Sequence, residues 1–561
     1  MNTTMMHRVI APCIAIASLF LIVAACGETE TEPATSASQP AAAVATHQPA
    51  AAPAAPAAAP AVATPTAVTQ AAAPMSESGP TKFTVAAPFA PSNNGAIETD
   101  DSFLLSRAGV TETLIRIDFD GQVKPYLAES WSLRDDSAWE FELREDVSFH
   151  DGAPFNGESV VEALSYLHGV PNPPRGFTSD TLESVEAVES HKVVIRSGAL
   201  DVLLPTRLAG PTTAILADGA YESRGDGPPS PVSAGTGPFV VEDKISIKSL
   251  AVARNEDYWD GVAAIDAGEV LYVSDGLVRS AMLETGEADF VRHLPVSQLP
   301  LFEDSGEFVV HRDQQPRTVT LYINNRKGPF SDVNIRKAAQ HAVDRQAIVD
   351  SVLEGVGEPA VGPFAPAEAW VNSGLAPYEF DPQASKELLA EAGYDEGELK
   401  VSIWTYPSRA EFPAMSVAIH EMLNEAGFNA EIRLAPYGAL VDDVFAGNFD
   451  MFLVSRGHLI DAYDPEGFFT ADYSCESMDV SNYSNYCNAE VDALLEQARP
   501  LSDSQARYEI YREIQNILHE EAATVFINYT DQVFAYGNHV LNWQPHLLEY
   551  YMMTPQLDIS Q

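Results

Sequence analysis

ELLAEAGYDEGELKVSIW, residues 387–404, and EMLNEAGFNAEIRL, residues 421–434, repeat one pattern: an amphipathic helix, a glycine that ends it, and a short apolar strand. Glycine just past the last helical residue is a common helix end because it readily adopts the left-handed backbone conformation. Helices that alternate with strands predict βαβ units and a parallel sheet. This part of the chain is therefore predicted to have an α/β fold.

The segments on either side of these units carry further helix boundaries. SDVNIRKAAQHAVDRQAIVDSVLEG, residues 331–355, predicts one long amphipathic helix, with Ser331 or Asp332 as its N-cap and Gly355 as its stop. Two more helices are predicted, over about 488–499 and 503–522. The apolar segments ATVFINY and VFAYG that follow them predict strands that return to the first half of the chain.

The first half of the folded body, which is expected to begin near Lys82, has the pattern of an α+β region. Apolar and charged residues alternate over 139–144, as in a strand with one buried face, and Asp120-Gly121 predicts a hairpin turn. Asn156 is a predicted N-cap for a helix through VVEALSYL. Further strand-like segments cover 193–196, 238–254 and 269–273.

The N-terminal region reads as an export signal followed by a spacer. An apolar run over residues 9–25 follows a head that carries His7 and Arg8, which is the order of a secretory signal. Val23-Ala24-Ala25-Cys26 resembles a bacterial lipobox, so residues 1–25 are expected to be a lipoprotein signal peptide and Cys26 the lipidated residue; a retained signal anchor is the alternative. Residues 26–81 are rich in Ala and Pro and predict a disordered linker.

Charge and cysteine content narrow the class of protein. With 80 Asp+Glu against 32 Lys+Arg, the 561-residue chain has a net charge of −48, which disfavours nucleic-acid binding. We interpret this charge as a solubility feature, with attraction of cationic ligands as the alternative. Cys475 and Cys487 predict a disulfide in an exported chain, because two thiols alone do not complete a tetrahedral zinc site. No G-x-S-x-G, H-E-x-x-H or G-x-x-x-x-G-K-[ST] motif points to an enzyme.

Several stretches, taken in order, resemble the bacterial extracytoplasmic solute-binding proteins of family 5, the dipeptide, oligopeptide and nickel class that serves ABC importers. The stretches are YLAESWSLRDDSAWEFELREDVSFHDGAPFNGESVV (126–161), GTGPFVVED (235–243), RNEDYWDG (254–261), ETGEADF (284–290), GPFSDVNIRKAAQHAVDRQAIVDSVLEG (328–355), YEFDPQASKELLAEAGY (378–394), DPEGFF (464–469) and RYEIYREIQNILHEEA (507–522). The resemblance implies an α/β, two-lobed periplasmic-binding-protein-like fold of the class II type, with an extra α+β subdomain in lobe one.

The same resemblance implies a domain order and a function. Lobe one would cover 82–316, with the inserted subdomain at about 122–230; lobe two would cover 317–522, and 523–561 would return to lobe one. The expected protein is a monomeric, non-enzymatic receptor without a cofactor, anchored by lipid on the periplasmic side of the cell envelope. It would close by a hinge motion around a small peptide and deliver it to the transmembrane subunits of an ABC permease.

Residues that could bind a peptide are also carried over from the family. In SRGHLIDAYDPEGFF (455–469), Asp461 matches the aspartate that receives the peptide amino group, with a helix or turn cap as the alternative. In WTYPSRAEFP (404–413), Arg409 resembles the arginine that binds a ligand carboxylate through its planar fork. Three aromatic residues are predicted to line the walls, with a core position as the alternative: Trp404, Tyr406 and Tyr463.

A second ligand class remains open at the same place. Arg456, Gly457 and His458 stand where the family often has a tryptophan. Nickel-type members bind a metal already wrapped in an organic chelator, so one imidazole, from His458, plus arginines such as Arg456 would suffice. A metal-chelate receptor is therefore the alternative to a peptide receptor. An extracytoplasmic hydrolase and an adhesive surface lipoprotein are more distant alternatives.

Overall fold

The computed structural model describes residues 80–135, 137–171, 173–174, 177, 181–222, 227–460 and 462–560. The elements up to residue 303 are β1 (Lys82–Ala87), α1 (Asp101–Arg107), β2 (Ile115–Ile117), β3 (Val123–Pro125), β4 (Ala128–Asp135), β5 (Ala138–Leu143), α2 (Gly157–Gly169), β6 (Ser184–Glu189), β7 (Lys192–Arg196), α3 (Leu204–Arg207), α4 (Asp218–Glu222), β8 (Phe239–Val241), β9 (Ser249–Arg254), β10 (Ala267–Tyr272), α5 (Gly276–Glu284), β11 (Phe290–Arg292) and α6 (Leu299–Glu303).

The remaining elements are β12 (Phe308–Ile323), α7 (Val333–Ala342), α8 (Arg345–Ser351), β13 (Glu358–Pro359), α9 (Pro382–Glu391), β14 (Lys400–Thr405), α10 (Phe412–Glu425), β15 (Asn429–Leu434), α11 (Val441–Phe445), β16 (Met451–Gly457), α12 (Pro465–Tyr473), α13 (Ala489–Ala498), α14 (Ser504–Glu520), β17 (Thr524–Gly537), β18 (Val540–Leu541) and β19 (Asp558–Ile559). Short 3₁₀ turns cover Pro211–Thr213, Val296–Gln298, Pro329–Ser331 and Tyr437–Ala439.

The protein has a two-lobed α/β fold, and each lobe packs around its own hydrophobic core. Lobe one is built on β1–β11 with the C-terminal segment, and Phe83, Phe141 and Phe290 are among its fully buried core residues. Lobe two is built on α7–α14 and β13–β16, and Tyr322 and Phe452 are among its fully buried core residues. Burying each such side chain stabilises the fold by about 1.5–3 kcal/mol, so each lobe has the apolar interior of a separate domain.

One large sheet continues through both lobes, in the order β15-β14-β16-β12-β17-β11-β1-β10-β9-β8, with β13 also paired to β17. The predicted parallel pairing in the two helix–strand units is confirmed, because β14 runs parallel to both β15 and β16. In lobe one β4, β5, β7 and β6 form a separate antiparallel sheet, and helix α2 packs against β6. This smaller sheet and helix α2 together form the α+β subdomain.

Strands β12 and β17 carry the chain from one core to the other. They pair antiparallel along nearly their whole lengths, and the pairing is irregular between Gln314 and Thr318. On β17, residues up to Tyr529 belong to the core of lobe two, whereas Val533 packs in a cluster of lobe one. An irregularity in a strand pair locally weakens the ladder of hydrogen bonds and increases twist. The two crossing strands are therefore built to bend between the lobes.

The caps predicted from sequence explain where several helices begin. The side chains of Asn156, Asp332 and Asp381 each accept hydrogen bonds from backbone N–H groups of the first helical turn. The single long helix predicted over 331–355 is wrong, because the structure has two helices there, α7 and α8. Asp344 caps α8 by accepting a hydrogen bond from Ala347 N, and this local bond competes with continuation of α7.

Candidate functional site

A cavity of about 210 Å³ lies where the two lobes meet. Lobe one contributes residues 293–297 to its lining, lobe two contributes residues 409–411, and strand β17 contributes residues 530–533. Ligand pockets are typically concave and occur preferentially at domain interfaces. A solute in this cavity would touch both lobes and one of the strands that connects them.

Arg409 reaches the cavity from the loop between β14 and α10. Its side chain is only 5% exposed. Its Nη1 lies 3.4 Å from His293 Nδ1 of lobe one and 3.7 Å from the carboxylate of Glu411. Its Nε is buried and has no hydrogen-bond partner among the residues that the structure describes. Because buried polar groups are nearly always hydrogen-bonded, an unpartnered guanidinium N–H at a cavity is typical of a binding site.

His293 lies opposite Arg409 and directly follows strand β11. Its backbone has φ of 53°, in the left-handed region that costs a non-glycine residue about 1–3 kcal/mol and is found most often at functional sites. Burial, together with neighbouring arginines such as Arg409 and Arg292, lowers the pKa of His293 well below its ordinary value. The imidazole is therefore neutral at pH 7.

Four arginines lie in this interlobe region, and we call them the arginine cluster: Arg107, Arg292, Arg317 and Arg409. Arg107 Nε donates a hydrogen bond of 2.7 Å to the backbone oxygen of Glu549. Burial and the charge of Arg292 lower the pKa of Arg107 to about 9, and burial and the charge of Arg409 lower that of Arg317 to about 10. Burial is the larger cause of both shifts, and the repulsion between neighbouring positive charges adds to it.

Glu549 supplies a negative charge within the arginine cluster. Its Oε1 accepts a hydrogen bond of 2.6 Å from Arg292 Nη2 and another from Gln532 Nε2. Burial alone would raise the pKa of Glu549, but the arginines outweigh it and hold the pKa at about 2. The carboxylate is therefore ionised throughout the physiological pH range.

A second polar contact joins the lobes away from the cavity. Arg207 of lobe one donates to Glu466 of lobe two, and both side chains are fully buried. Arg207 also donates to Asp201, and Glu466 accepts from Arg499 Nε at 2.8 Å. Burial would raise the pKa of Glu466, but Arg207 and Arg499 lower it to about 2. We call the Arg207–Glu466 pair the interlobe ion pair.

The two residues of the metal-chelate hypothesis, Arg456 and His458, each have a partner within the fold. Arg456 pairs with both carboxylate oxygens of Asp472, at 2.7 and 2.9 Å, and is 3% exposed. His458 Nε2 lies 2.7 Å from Glu368 Oε2, and the ring packs on Phe364. We therefore propose no ligand role for Arg456 or His458. Among residues 80–560, apart from those that the structure leaves undescribed, no group of three or more His, Cys, Asp or Glu side chains is placed to hold a metal ion.

The three predicted wall aromatics occupy different environments. Trp404 and Tyr406 belong to the core of lobe two, which was the alternative to a ligand role. Tyr406 lies at the inner side of the interface, where Arg409 and Arg317 interact electrostatically with its hydroxyl group. Tyr463 is partly buried and packs against the core of lobe one, although it follows β16 of lobe two. Tyr463 is therefore placed between the lobes.

The structure contains the predicted disulfide, but it does not describe three other predicted positions. Cys475 and Cys487 are joined by a disulfide, with Cα atoms 4.5 Å apart. The signal over 1–25, the lipidation site Cys26 and the peptide-binding candidate Asp461 lie outside the described residues. In the described part of the chain, we find no helix whose length and apolarity would let it cross a bilayer.

Six residues of the site escaped the sequence interpretation: Arg107, Arg292, His293, Arg317, Gln532 and Glu549. Apart from the adjacent pair Arg292 and His293, they lie on different elements or loops and share no local motif. Only Arg292 and His293 carried a usable signal, because two basic residues follow directly after the apolar start of a buried strand. Polar residues at the end of a buried strand are common in binding sites.

Comparison with known proteins agrees with the architecture. The family described as "Bacterial extracellular solute-binding proteins, family 5 Middle" matches residues 122–479. The chain is 28% identical over 432 residues to Heme-binding protein A of Haemophilus influenzae, covering 71% of this chain and 78% of that protein. It is also 28% identical over 427 residues to Di/tripeptide-binding protein 3 of Pseudomonas aeruginosa, covering 71% and 79%.

A solved structure shows the same fold. NikA from Staphylococcus aureus, in complex with Ni(L-His)2, superposes with a TM-score of 0.77 at 23% sequence identity. The match covers 86% of this chain and 100% of that chain. The two lobes, the crossing strands and the interlobe cavity thus occur in a chain whose family match spans well over half its length. This protein belongs to the bacterial extracellular solute-binding proteins of family 5.

Proposed function

We propose that this protein is the lipid-anchored solute-binding subunit of an ABC importer and that it captures a small peptide between its lobes. The observation that carries the proposal is the interlobe position of Arg409. Its buried Nε has no hydrogen-bond partner in the described part of the chain, and its Nη1 faces His293 of the other lobe. A guanidinium binds a peptide carboxylate through two parallel hydrogen bonds. The relative in Pseudomonas aeruginosa is named for di- and tripeptide binding, which supports a peptide.

The mechanism follows from linkage between binding and closure. We place lobe one at 82–316 and 523–561 and lobe two at 317–522, with the inserted subdomain at about 122–230. A solute touches both lobes only when they are closed, so binding shifts the equilibrium toward the closed form by its differential affinity. The permease would then recognise the closed form of the monomeric receptor.

Lipid anchoring would hold the receptor near its permease. In this proposal residues 1–25 are removed, Cys26 carries the acyl chains, and the Ala/Pro-rich segment up to residue 81 is a spacer. Two or more acyl chains are enough for stable attachment, and tethering raises the effective concentration at the permease. Replacing Cys26 by Ser should move the protein from the membrane to the soluble fraction of cells. Membrane attachment that persists in this variant would contradict the anchor.

A metal chelate is the second candidate solute. The arginine cluster favours it, because guanidinium groups bind the carboxylates of a chelator as readily as those of a peptide. The structural neighbour NikA was solved with Ni(L-His)2. In this version the metal would enter with its own ligands and the protein would bind the chelator.

The peptide proposal is tested at Asp461, the predicted partner of the peptide amino group. Replacing Asp461 by Ala should weaken the binding of peptides that have a free amino group by about 2 kcal/mol, or about 30-fold, because the buried ammonium group of the peptide loses its partner. Isothermal titration calorimetry on the purified protein measures this. Asp442→Ala, which removes an exposed aspartate of lobe two, is the matched control. Equal affinity of the wild type for free and N-acetylated peptides would remove the basis of the assignment.

A further inference from the structure

The arginine cluster carries more positive charge than its surroundings neutralise. Among the described residues, Glu549 is the fully enclosed carboxylate that interacts with the cluster, and it is ionised. Glu411 is partly exposed and lies 3.7 Å from Arg409, and Asp100 interacts with Arg107 from an exposed position. Charges at exposed positions are screened by solvent, so they offset buried guanidinium groups only weakly. Counted over the described residues, the interlobe region therefore holds a surplus of positive charge.

Contacts that the arginines make within the protein leave this surplus in place. Arg107 and Arg317 donate to backbone oxygens, of Glu549 and Ser455 respectively, at 2.7 Å each. A backbone carbonyl satisfies a hydrogen bond but carries no net charge. This differs from Arg456, whose charge is matched by the carboxylate of Asp472.

The hydrogen bonds around His293 place a second donor beside Arg409. The side-chain amide of Gln532 contacts both Glu549 Oε1 and His293 Nε2. A carboxylate accepts hydrogen bonds only, so the NH2 group of the amide faces it and also points at His293 Nε2. The guanidinium of Arg409 points at the other ring nitrogen, with Nη1 3.4 Å from Nδ1, and it too can only donate. A neutral imidazole has one acceptor nitrogen, so these two donors compete for it and one of them lacks an acceptor in the ring.

A negatively charged oxygen satisfies the donor that the imidazole leaves without an acceptor, and it can also accept from Arg409 Nε, which has no partner among the described residues. It offsets part of the surplus charge of the cluster. A neutral amide oxygen accepts one hydrogen bond well but leaves the surplus charge uncompensated, and an ammonium group adds to the repulsion. The same geometry therefore ranks ligands by charge.

From this arrangement we infer that the interlobe site selects solutes with a net negative charge over neutral or cationic solutes of the same size. The inference rests on the proposed function and names the solute class of the same site. An acidic dipeptide and a polycarboxylate metal chelate share this chemistry. The selectivity is local, because the protein as a whole has a net charge of −48 and repels anions at long range.

The test compares solutes that differ in charge, and the two dipeptides of the first pair also have nearly the same shape. Calorimetric titration of the purified protein with Ala-Glu and Ala-Gln measures its affinity for an anionic and a neutral peptide. Titration with nickel–EDTA and neutral Ni(L-His)2 measures its affinity for an anionic and a neutral metal chelate. We expect the anionic member of at least one pair to bind at least about tenfold more tightly than its neutral counterpart. In Arg409→Gln this ratio should fall to about threefold or less.

Two further variants separate a charge effect from a folding effect. Arg433→Gln removes an arginine of lobe two that lies over Trp404, outside the cluster, and should leave the ratio unchanged. Arg317→Gln should lower the ratio as Arg409→Gln does, and circular dichroism with thermal unfolding shows whether each variant is folded. Saturable binding with equal affinities within both pairs would overturn the inference and leave the receptor proposal standing. If none of the four solutes binds, both proposals fail.

Discussion

Glu466→Gln removes one charge of the interlobe ion pair while it keeps the shape of the side chain. The carboxylate of Glu466 has a pKa of about 2, against 4.5 for an ordinary Glu, so the fold stabilises its charged form by about 3 kcal/mol. Its contacts with Arg499 and Thr470 lie within lobe two and persist when the lobes separate. Only the contact with Arg207 is lost on opening, and a hydrogen bond between charged groups contributes about 2 kcal/mol.

The closed form of the variant should therefore be destabilised by about 2 kcal/mol relative to the open form. If solute binds the closed form, the measured affinity falls by the same free energy, which is about 30-fold. Calorimetric titration measures the affinity, and small-angle X-ray scattering without ligand should show a larger radius of gyration. Glu476→Gln is the matched control, because Glu476 pairs with Arg499 on the outside of the same lobe. A folded Glu466→Gln protein with wild-type affinity would refute the assignment of a closing role to this ion pair.

Three further predictions concern pH, the disulfide and salt. Folding lowers the pKa of His546 from 6.5 to about 4 and that of Glu549 from 4.5 to about 2. As the pH falls, the unfolded chain therefore binds these protons at a higher pH than the folded protein does, and stability is lost. Urea unfolding should show that the free energy of unfolding falls by about 3 kcal/mol between pH 7 and pH 4 because of His546, and falls further below about pH 5 because of Glu549. A free energy of unfolding that is constant over this range would contradict both assignments. Cys475→Ala combined with Cys487→Ala should lower the free energy of unfolding by about 3 kcal/mol, and a change under about 1 kcal/mol would count against a stabilising bridge. Raising the ionic strength from about 0.01 M to about 0.15 M should speed the association of a dicarboxylate in stopped-flow measurements, because it screens the net negative charge; a slower rate would argue against long-range repulsion.

Sequence patterns predicted the fold where the signals are local. The glycine stops and the helix–strand units of 387–404 and 421–434 gave the parallel strands of lobe two, and Asn156 and Asp381 marked the helix starts. The prediction over 331–355 was wrong because the amphipathic pattern continues through the break. Asp344, a good N-cap, was the available sign of a second helix.

The site was harder to predict because its charges come together only through the crossing strands. Arg317 lies on β12, Gln532 on β17, and Glu549 near the C-terminus, so no spacing in the sequence relates them. Arg409 was found through a family resemblance and lies at the interlobe cavity. Arg456 was named for the metal-chelate alternative because of its residue type, but it pairs with Asp472; residue type alone does not show which arginine has a carboxylate partner.

Charged groups form part of the contact between the lobes, and this has a consequence for how the receptor can work. Each lobe has a separate apolar core, whereas the contacts between lobes include the Arg207–Glu466 pair and the Arg409–His293 contact. Burying charges costs desolvation free energy that the Coulomb attraction only roughly offsets, so closure through such contacts has a small net free energy. Apolar faces would instead hold the lobes shut without a solute. A closure equilibrium near balance is the condition under which a ligand with a few kcal/mol of differential affinity switches the population, and the surplus charge of the arginine cluster makes an anion the ligand that does so.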